Sequence, residues 1–272
     1  HNDARRQRQM CIRDRYSAAM LSSVWGFDLE RSEILCRAGE AIGLVIERKG
    51  HYRLTRKGAV LIGLPGVTAL IEHHKILYQD LLNPVGFFKG VEETQLSKFW
   101  PYVFGGGMDL KSSEVEKYSD LMSESQHLVA ADTLAAVNIP SVCRFLDVGG
   151  GKGTFVSELK KNYPKVDAAV FDLPGSHSET SGHRCIIGSF KEDELPAGYD
   201  IISLVRILYD HRDETIRDLL GKAYRALDKG GRLIVSEPML GADRPTLWGD
   251  VYFAMYTLCL LYTSDAADER HC

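Results

Sequence analysis

The sequence has no C-x-x-C pair: its six cysteines, Cys11, Cys36, Cys143, Cys185, Cys259 and Cys272, are scattered along the chain. That spacing suggests neither a zinc site nor a disulfide framework, and reduced thiols in a cytoplasmic setting are expected. An excess of positive charge is also missing. With 33 Lys and Arg against 37 Asp and Glu, the net charge is -4, so no overall field draws the chain to nucleic acid or anionic lipid. No apolar run reaches the ~20 residues of a membrane span; the longest, Val251 to Tyr262, is interrupted by Thr257. A bilayer-crossing protein is therefore not expected, and peripheral membrane association stays open. No charged-then-apolar leader opens the sequence, so no secretory signal is expected.

What is present is core-forming material. The 272 residues are 44% hydrophobic and 26% charged, the composition of a globular protein, and the length suits two domains. Arg6 to Arg15 (RQRQMCIRDR) and Cys259 to Glu269 (CLLYTSDAADE) resemble translated sequencing-adapter DNA. Residues 1–15 and 259–272 are accordingly expected to be artefacts, with the natural chain cut at both ends.

From Asp28, an N-cap, the apolar residues Leu29, Ile34, Leu35, Ala38, Ile42 and Val45 recur near helical spacing, which predicts a helix with an inward stripe. Leu44 to Arg48, a Lys49-Gly50 turn and His51 to Leu54 predict a hairpin, and Thr55 caps a further helix. Helix, hairpin and helix in that order make a winged-helix unit, assigned to residues 16–104. DNA contact is the less favoured role, because Glu30, Glu33 and Glu40 outweigh Arg31 and Arg37 on its candidate recognition helix. Pairing with a second subunit is favoured instead. His73-His74 point about 100° apart on a helix and read as structural or pocket-lining, not as a metal pair. Gly105-Gly106-Gly107 opens a linker and connecting helix, 105–140.

Beyond residue 141 short β-rich runs alternate with helices, which predicts a parallel, doubly wound α/β sheet. Ile216, Leu219, Leu220, Ala223 and Leu227 form one helix stripe, which Gly230-Gly231 is expected to end. Directly after the first of these strands comes Leu146-Asp147-Val148-Gly149-Gly150-Gly151-Lys152-Gly153. Glycines at a strand-to-helix turn let a nucleotide-type ligand lie against backbone amides and a helix N-terminus. Thr154 stands where the dinucleotide G-x-G-x-x-G motif needs its third glycine, and Leu146 where a P-loop needs its first. What remains is D-x-G-G-G-x-G with Asp172 ending the next strand, placed to accept two ribose hydroxyls as a fork.

LDVGGGKGTF, FDLP, the Gly188-Ser189-Phe190 turn, LVRILYDHRDE and GGRLIVSEPM together resemble the class I S-adenosylmethionine-dependent O-methyltransferases that carry an N-terminal winged-helix dimerisation domain. YSDLMSESQHLVA, SLVRILYDH and GDVYFAMYTL are similar to the group acting on acyclic hydroxycarotenoids. The resemblance implies a Rossmann-like sheet over 141–258, two further strands beyond it, a homodimer, and an apolar hydroxycarotenoid substrate. It implies cofactor contacts at Asp147, Gly149, Gly150, Gly151, Asp172, Leu173, Ser189 and Phe190, with Arg206 and Met122 bordering the pocket. Relatives commonly have Asp in place of Ser189. An enzyme acting on a small phenolic or polyketide hydroxyl, and a non-catalytic cofactor-binding regulator, are the alternatives.

Many relatives read L-H-D-W-x-D-E, with that His taking the hydroxyl proton, whereas here Tyr209 stands in its place, followed by Asp210 and His211. A neutral imidazole suits late proton removal from an alcohol better than a phenol with a pKa of about 10. His211 is therefore the expected proton acceptor, with Glu237 its orienter and Asp210 and Tyr209 polar pocket groups. A helix-capping role for His211 stands beside that reading.

Overall fold

In a computed structural model, residues 15–90, 94–99, 112–174, 176, 183–239 and 247–261 are described. The chain divides into two compact units, His1–Ile71 and Glu72–Cys272, a boundary earlier than the one after residue 104 expected from sequence. The Gly105-Gly106-Gly107 linker and most of both adapter-like ends lie outside the described residues.

The first unit contains α1 (Ala18–Trp25), α2 (Leu29–Ala41), the hairpin β1 (Val45–Arg48) and β2 (His51–Leu54), and α3 (Arg56–Gly63). Side chains set the helix starts. Asp28 Oδ1 accepts the Arg31 N–H at 2.8 Å and Thr55 Oγ1 accepts the Gly58 N–H at 3.1 Å, each satisfying an amide the helix leaves open. Lys49 (φ 55°) and Gly50 (φ 75°) both take left-handed values, which matches the turn to the twist of the two strands. The elements follow the expected order, but α2 is rotated from expectation. Leu29, Ile34 and Leu35 are 48%, 54% and 49% exposed, and its buried residues are Ser32 and Cys36. Small side chains on the inward face, continued by Gly39 against Val45, let the hairpin approach closely and leave the large apolar ones outside.

The second unit begins within α4 (Pro65–Asp80) and continues through α5 (Pro84–Lys89), α6 (Gln95–Phe99) and the long α7 (Ser112–Ala136). An α/β alternation follows: β3 (Arg144–Val148), α8 (Thr154–Asn162), β4 (Asp167–Asp172), β5 (Arg184–Ile187), β6 (Tyr199–Val205), α9 (Asp213–Ala226), β7 (Leu227–Ser236) and α10 (Leu247–Leu261). The last helix passes the 258 boundary, and Cys259 is buried. The sheet order is β5-β4-β3-β6-β7 with every pair parallel. The chain therefore builds outward from β3, then crosses back to start again at β6. In such a sheet the ligand crevice opens beyond the carboxyl ends of the two strands where the order reverses.

Alternate residues of the strands feed two cores. Phe145 and Ile201 join Phe155, Val156 and Leu159 on one face, while Leu146, Ile202 and Leu204 join Leu219 and Ala223 on the other. Coverage of both faces is what a parallel sheet requires. Gly230-Gly231 do not end α9: the helix stops at Ala226, and β7 starts directly at Leu227. Tyr199 pairs with Leu227 but Ile201 with Arg232, so the glycines occupy a register shift, where Gly230 takes φ 83°.

Candidate active site

The turn after β3 is shaped by backbone. Gly149, Gly151 and Gly153 take φ of 69°, 54° and 76°, values that cost other residues but not glycine. The Gly149 N–H donates to the Phe171 carbonyl at 2.8 Å and the Gly151 N–H to Asp172 Oδ2 at 2.6 Å. Asp172 Oδ1 takes the Leu173 N–H at 2.6 Å. The loop is closed on one side and open on the other. A Cβ on Gly150 would lie 2.4 Å from Asp147 Oδ2, whereas one on Gly151 would meet nothing within 4 Å.

Asp147, expected to contact the cofactor, lies beneath this loop. It is 1% exposed, and its Oδ1 accepts from Ser203 Oγ at 2.6 Å. Burial pushes its carboxyl up to about 7, against the Ser203 hydrogen bond and with the help of the Asp172 charge.

The second wall follows β5. The Ser189 N–H donates to Asp193 Oδ2 at 2.8 Å. The Phe190 and Lys191 carbonyls are held by the buried Lys222 Nζ at 2.7 and 3.2 Å. His211 belongs to this wall: its ring meets Phe190 edge-on at 5.2 Å. Burial, then the Lys191 charge, depress its pKa to about 4. His211, the expected proton acceptor, thus packs on the Phe190 side, and the aromatic contacts of Tyr209 are made to Phe253 and Tyr256 instead.

Glu237, the expected orienter of His211, meets the start of the turn before it: its Oε1 accepts the N–H groups of Ile207 and Leu208 at 2.8 and 2.9 Å, which holds the single 3₁₀ turn Leu208–Asp210. Just before this turn Arg206 takes φ 61°, an uncommon value for a side-chain-bearing residue. Its guanidinium donates to Ser125 Oγ at 2.7 Å and to Met122 Sδ at 3.2 Å, which brings together two residues predicted to border the cofactor. Asp210 is buried, and burial raises its pKa well above the carboxylate range; Arg206 opposes the shift and Glu237 adds to it.

Tyr209 points into a separate aromatic cluster. Its ring lies 6.1 Å from Phe253 and 6.3 Å from Tyr256, and Tyr252 lies 4.8 and 5.8 Å from the same two rings. Met122, Leu77 and Phe87 pack against this cluster. From α4, the His74 ring lies 5.2 Å from Tyr252, and its Nε2 shares a hydrogen bond with the Tyr252 hydroxyl. Sequence reasoning did not name Tyr252. The available signals were the missing His at 209 and the spacing of Tyr252 and Tyr256, one helical turn apart. Among the described residues no group of three or more His, Cys, Asp or Glu could hold a metal ion.

A family model described as an O-methyltransferase domain matches residues 78–270, well over half the chain. This chain belongs to that O-methyltransferase family. The demethylspheroidene O-methyltransferases of Rhodobacter capsulatus and Cereibacter sphaeroides are 43% and 42% identical to it, over 86% and 88% of this chain and 61% and 66% of their own. The chain thus spans less than two thirds of the length of these curated relatives. The apo structure of the S-adenosylmethionine-dependent methyltransferase SibL superposes with a TM-score of 0.67 at 22% identity, covering 94% of this chain and 79% of that one. The fold is that of class I methyltransferases, with an α-helical region before the sheet. S-adenosylmethionine is the cofactor of this family. The residues present fit it: a glycine cradle open at Gly151, backed by a carboxylate at the end of the adjacent strand.

Proposed function

We propose that this chain carries the reaction centre of an O-methyltransferase that moves a methyl group from S-adenosylmethionine to a hydroxyl of an acyclic hydroxycarotenoid. The observation that carries the substrate class is the aromatic wall of Tyr209, Tyr252, Phe253 and Tyr256 beside the turn that follows β6. An apolar lining of this kind suits a polyene. The two demethylspheroidene O-methyltransferases at 43% and 42% identity support the same reading.

When bound, the cofactor supplies a methyl carbon activated by a sulfonium. The chain's residues do the binding and positioning. Gly149 to Gly151 offer a backbone surface, and the carboxylate of Asp172, at the end of the adjacent strand, would accept two ribose hydroxyls as a fork. Leu173, Ser189, Phe190 and His211 would line the adenine, and Arg206 and Met122 the end nearer the reaction. Methyl transfer is in-line attack by oxygen with a leaving group that needs no acid, so alignment and exclusion of water supply much of the rate.

The test is product analysis with a 1-hydroxycarotenoid and a hydroxynaphthoate offered separately. A methyl ether on the carotenoid is expected. Methylation of the naphthoate alone would favour the small-phenol alternative, and cofactor binding without transfer to either would favour a regulator.

For the first unit, the outward apolar residues of α2 and α3 support a winged-helix pairing surface for a second copy, with Glu30, Glu33 and Glu40 opposing DNA. Among the described residues no single helix is long and apolar enough to cross a membrane. The lipophilic substrate is the ground for proposing peripheral membrane association from the cytoplasmic face. Sedimentation should show a dimer that added duplex DNA does not shift.

A further inference from the structure

Tyr209 stands where relatives carry the proton-accepting His, and the imidazole that follows it, His211, packs against Phe190 and not against the aromatic cluster that holds Tyr209. The structure brings one to the same aromatic cluster from elsewhere in the chain. His74, on α4, joins Tyr252, on α10, through the hydrogen bond between Nε2 and the phenol. Tyr252 packs against the same two rings as Tyr209.

We propose that Tyr252 and His74 form the proton-accepting pair for the substrate hydroxyl, an inference that rests on the methyltransferase reading above. As the substrate oxygen bonds to the methyl carbon and the methyl–sulfur bond breaks, the substrate O–H bond breaks and its proton passes to the Tyr252 oxygen. The proton that Tyr252 already carries moves to His74 Nε2. The products are the methyl ether, the demethylated cofactor and an imidazolium, which later releases its proton to solvent. The cationic centre consumed and the cation formed balance.

Three observations support the pair over its neighbours. Tyr252 on its own is a poor acceptor: burial holds its pKa above that of an ordinary phenol, with Tyr78 and Asp210 adding to the shift and Arg206 opposing it. Passing the proton on to an imidazole avoids a buried phenolate. His73, the adjacent imidazole, has its pKa depressed to about 4 by burial and then by His74, so it is unsuited to hold the proton near neutral pH. His74 is only partly buried, and the side chains of Lys75 and Tyr78 beside it are exposed, which leaves a short exit to water. For the relay to run, His74 must be the tautomer with hydrogen on Nδ1 and Nε2 free to accept.

The experiment measures kcat, KM and cofactor affinity for the unaltered protein, His74→Ala, Tyr252→Phe and His73→Gln. General-base assistance is worth about 100- to 10,000-fold in rate. His74→Ala and Tyr252→Phe should each lose kcat within that range, with KM and cofactor affinity unchanged. Added imidazole should restore part of the rate to His74→Ala and none to Tyr252→Phe, and His73→Gln should stay within about threefold of the unaltered protein. If His74→Ala fails to fold, Tyr252→Phe, which deletes a single oxygen, decides alone. Turnover within threefold in Tyr252→Phe, or in a folded His74→Ala, overturns the pair and leaves the methyltransferase reading standing. An unaltered protein that binds cofactor and methylates no hydroxyl overturns that reading and the pair together.

Discussion

In the unit ending at Ile71, Ile34, Leu35, Ile42 and Ile62 are 54%, 49%, 60% and 62% exposed, while in the unit beginning at Glu72 Phe155, Leu159, Ile202 and Leu204 are fully buried. Both units are rich in aliphatic side chains, and the first caps its helices with Ser17, Asp28 and Thr55 while α8 and α9 of the second start without a side-chain cap, so local propensity does not explain the second unit's better-buried core. Layering does. The parallel sheet has helices to cover both faces, so each strand's alternating residues find a core. The smaller unit has a two-stranded hairpin and short helices that meet through Ser32, Cys36 and Gly39. Its large side chains are left for a surface that its own fold does not supply. The difference teaches that the second unit buries its large apolar side chains within its own layers, whereas the first leaves them outside, which is why a second copy is proposed above to cover them.

The comparison breaks most readily in the second unit's core. Phe155→Ala deletes a fully buried ring stacked 6.1 Å from Phe145 and should cost about 3–5 kcal/mol in denaturant unfolding; a loss below 1 kcal/mol would mean that the core is not close-packed there. Asp147 comes next. Because its folded pKa is raised to about 7 from 3.8, its contribution to stability is fully present below pH 4. It falls by up to about 1.4 kcal/mol per unit as pH rises toward 7, since the unfolded chain releases the proton that the native state keeps. Asp147→Asn should flatten that slope, which denaturant curves at pH 5 and pH 7 would read; equal slopes in both proteins would contradict the buried acid. In the first unit, Thr55→Ala removes the α3 cap and should cost about 1 kcal/mol, visible as a lowered denaturation midpoint. The smallest effect on stability belongs to Ile34→Glu with Leu35→Glu, about 0.5 kcal/mol or less at exposed sites. That pair should nevertheless convert a sedimenting dimer to a monomer. A folded double variant that stays dimeric would remove the distinction between the units.

The fold was legible where the signal is local and repeated. The strand, glycine and helix order around Leu146 to Gly153 announces the sheet and its cofactor turn, and Asp28 and Thr55 mark helix starts by their side chains alone. The inward face of α2 was not legible, because burial there follows small residues at 32, 36 and 39 while periodicity was read from the large ones. The pairing of the glycine turn with the acid of the next strand could be read because Gly151 and Asp172, joined by a hydrogen bond, belong to consecutive β-α-β elements. The proposed proton-accepting pair could not: the 3₁₀ turn sends Tyr209 and His211 to different walls, and no spacing rule anticipates a hydrogen bond between residues 178 positions apart, as His74 and Tyr252 are.

The proposed cofactor site rests on Asp172, whose carboxylate accepts the Gly151 amide and would hold the ribose. Calorimetric titration of S-adenosylmethionine into the protein and into Asp172→Ala tests it most directly. Loss of a charge-assisted pair of hydrogen bonds should weaken binding by roughly 2 to 3 kcal/mol in a folded variant, a 30- to 150-fold rise in Kd. Unchanged affinity in a variant that still unfolds cooperatively would place the cofactor somewhere other than the turn after β3.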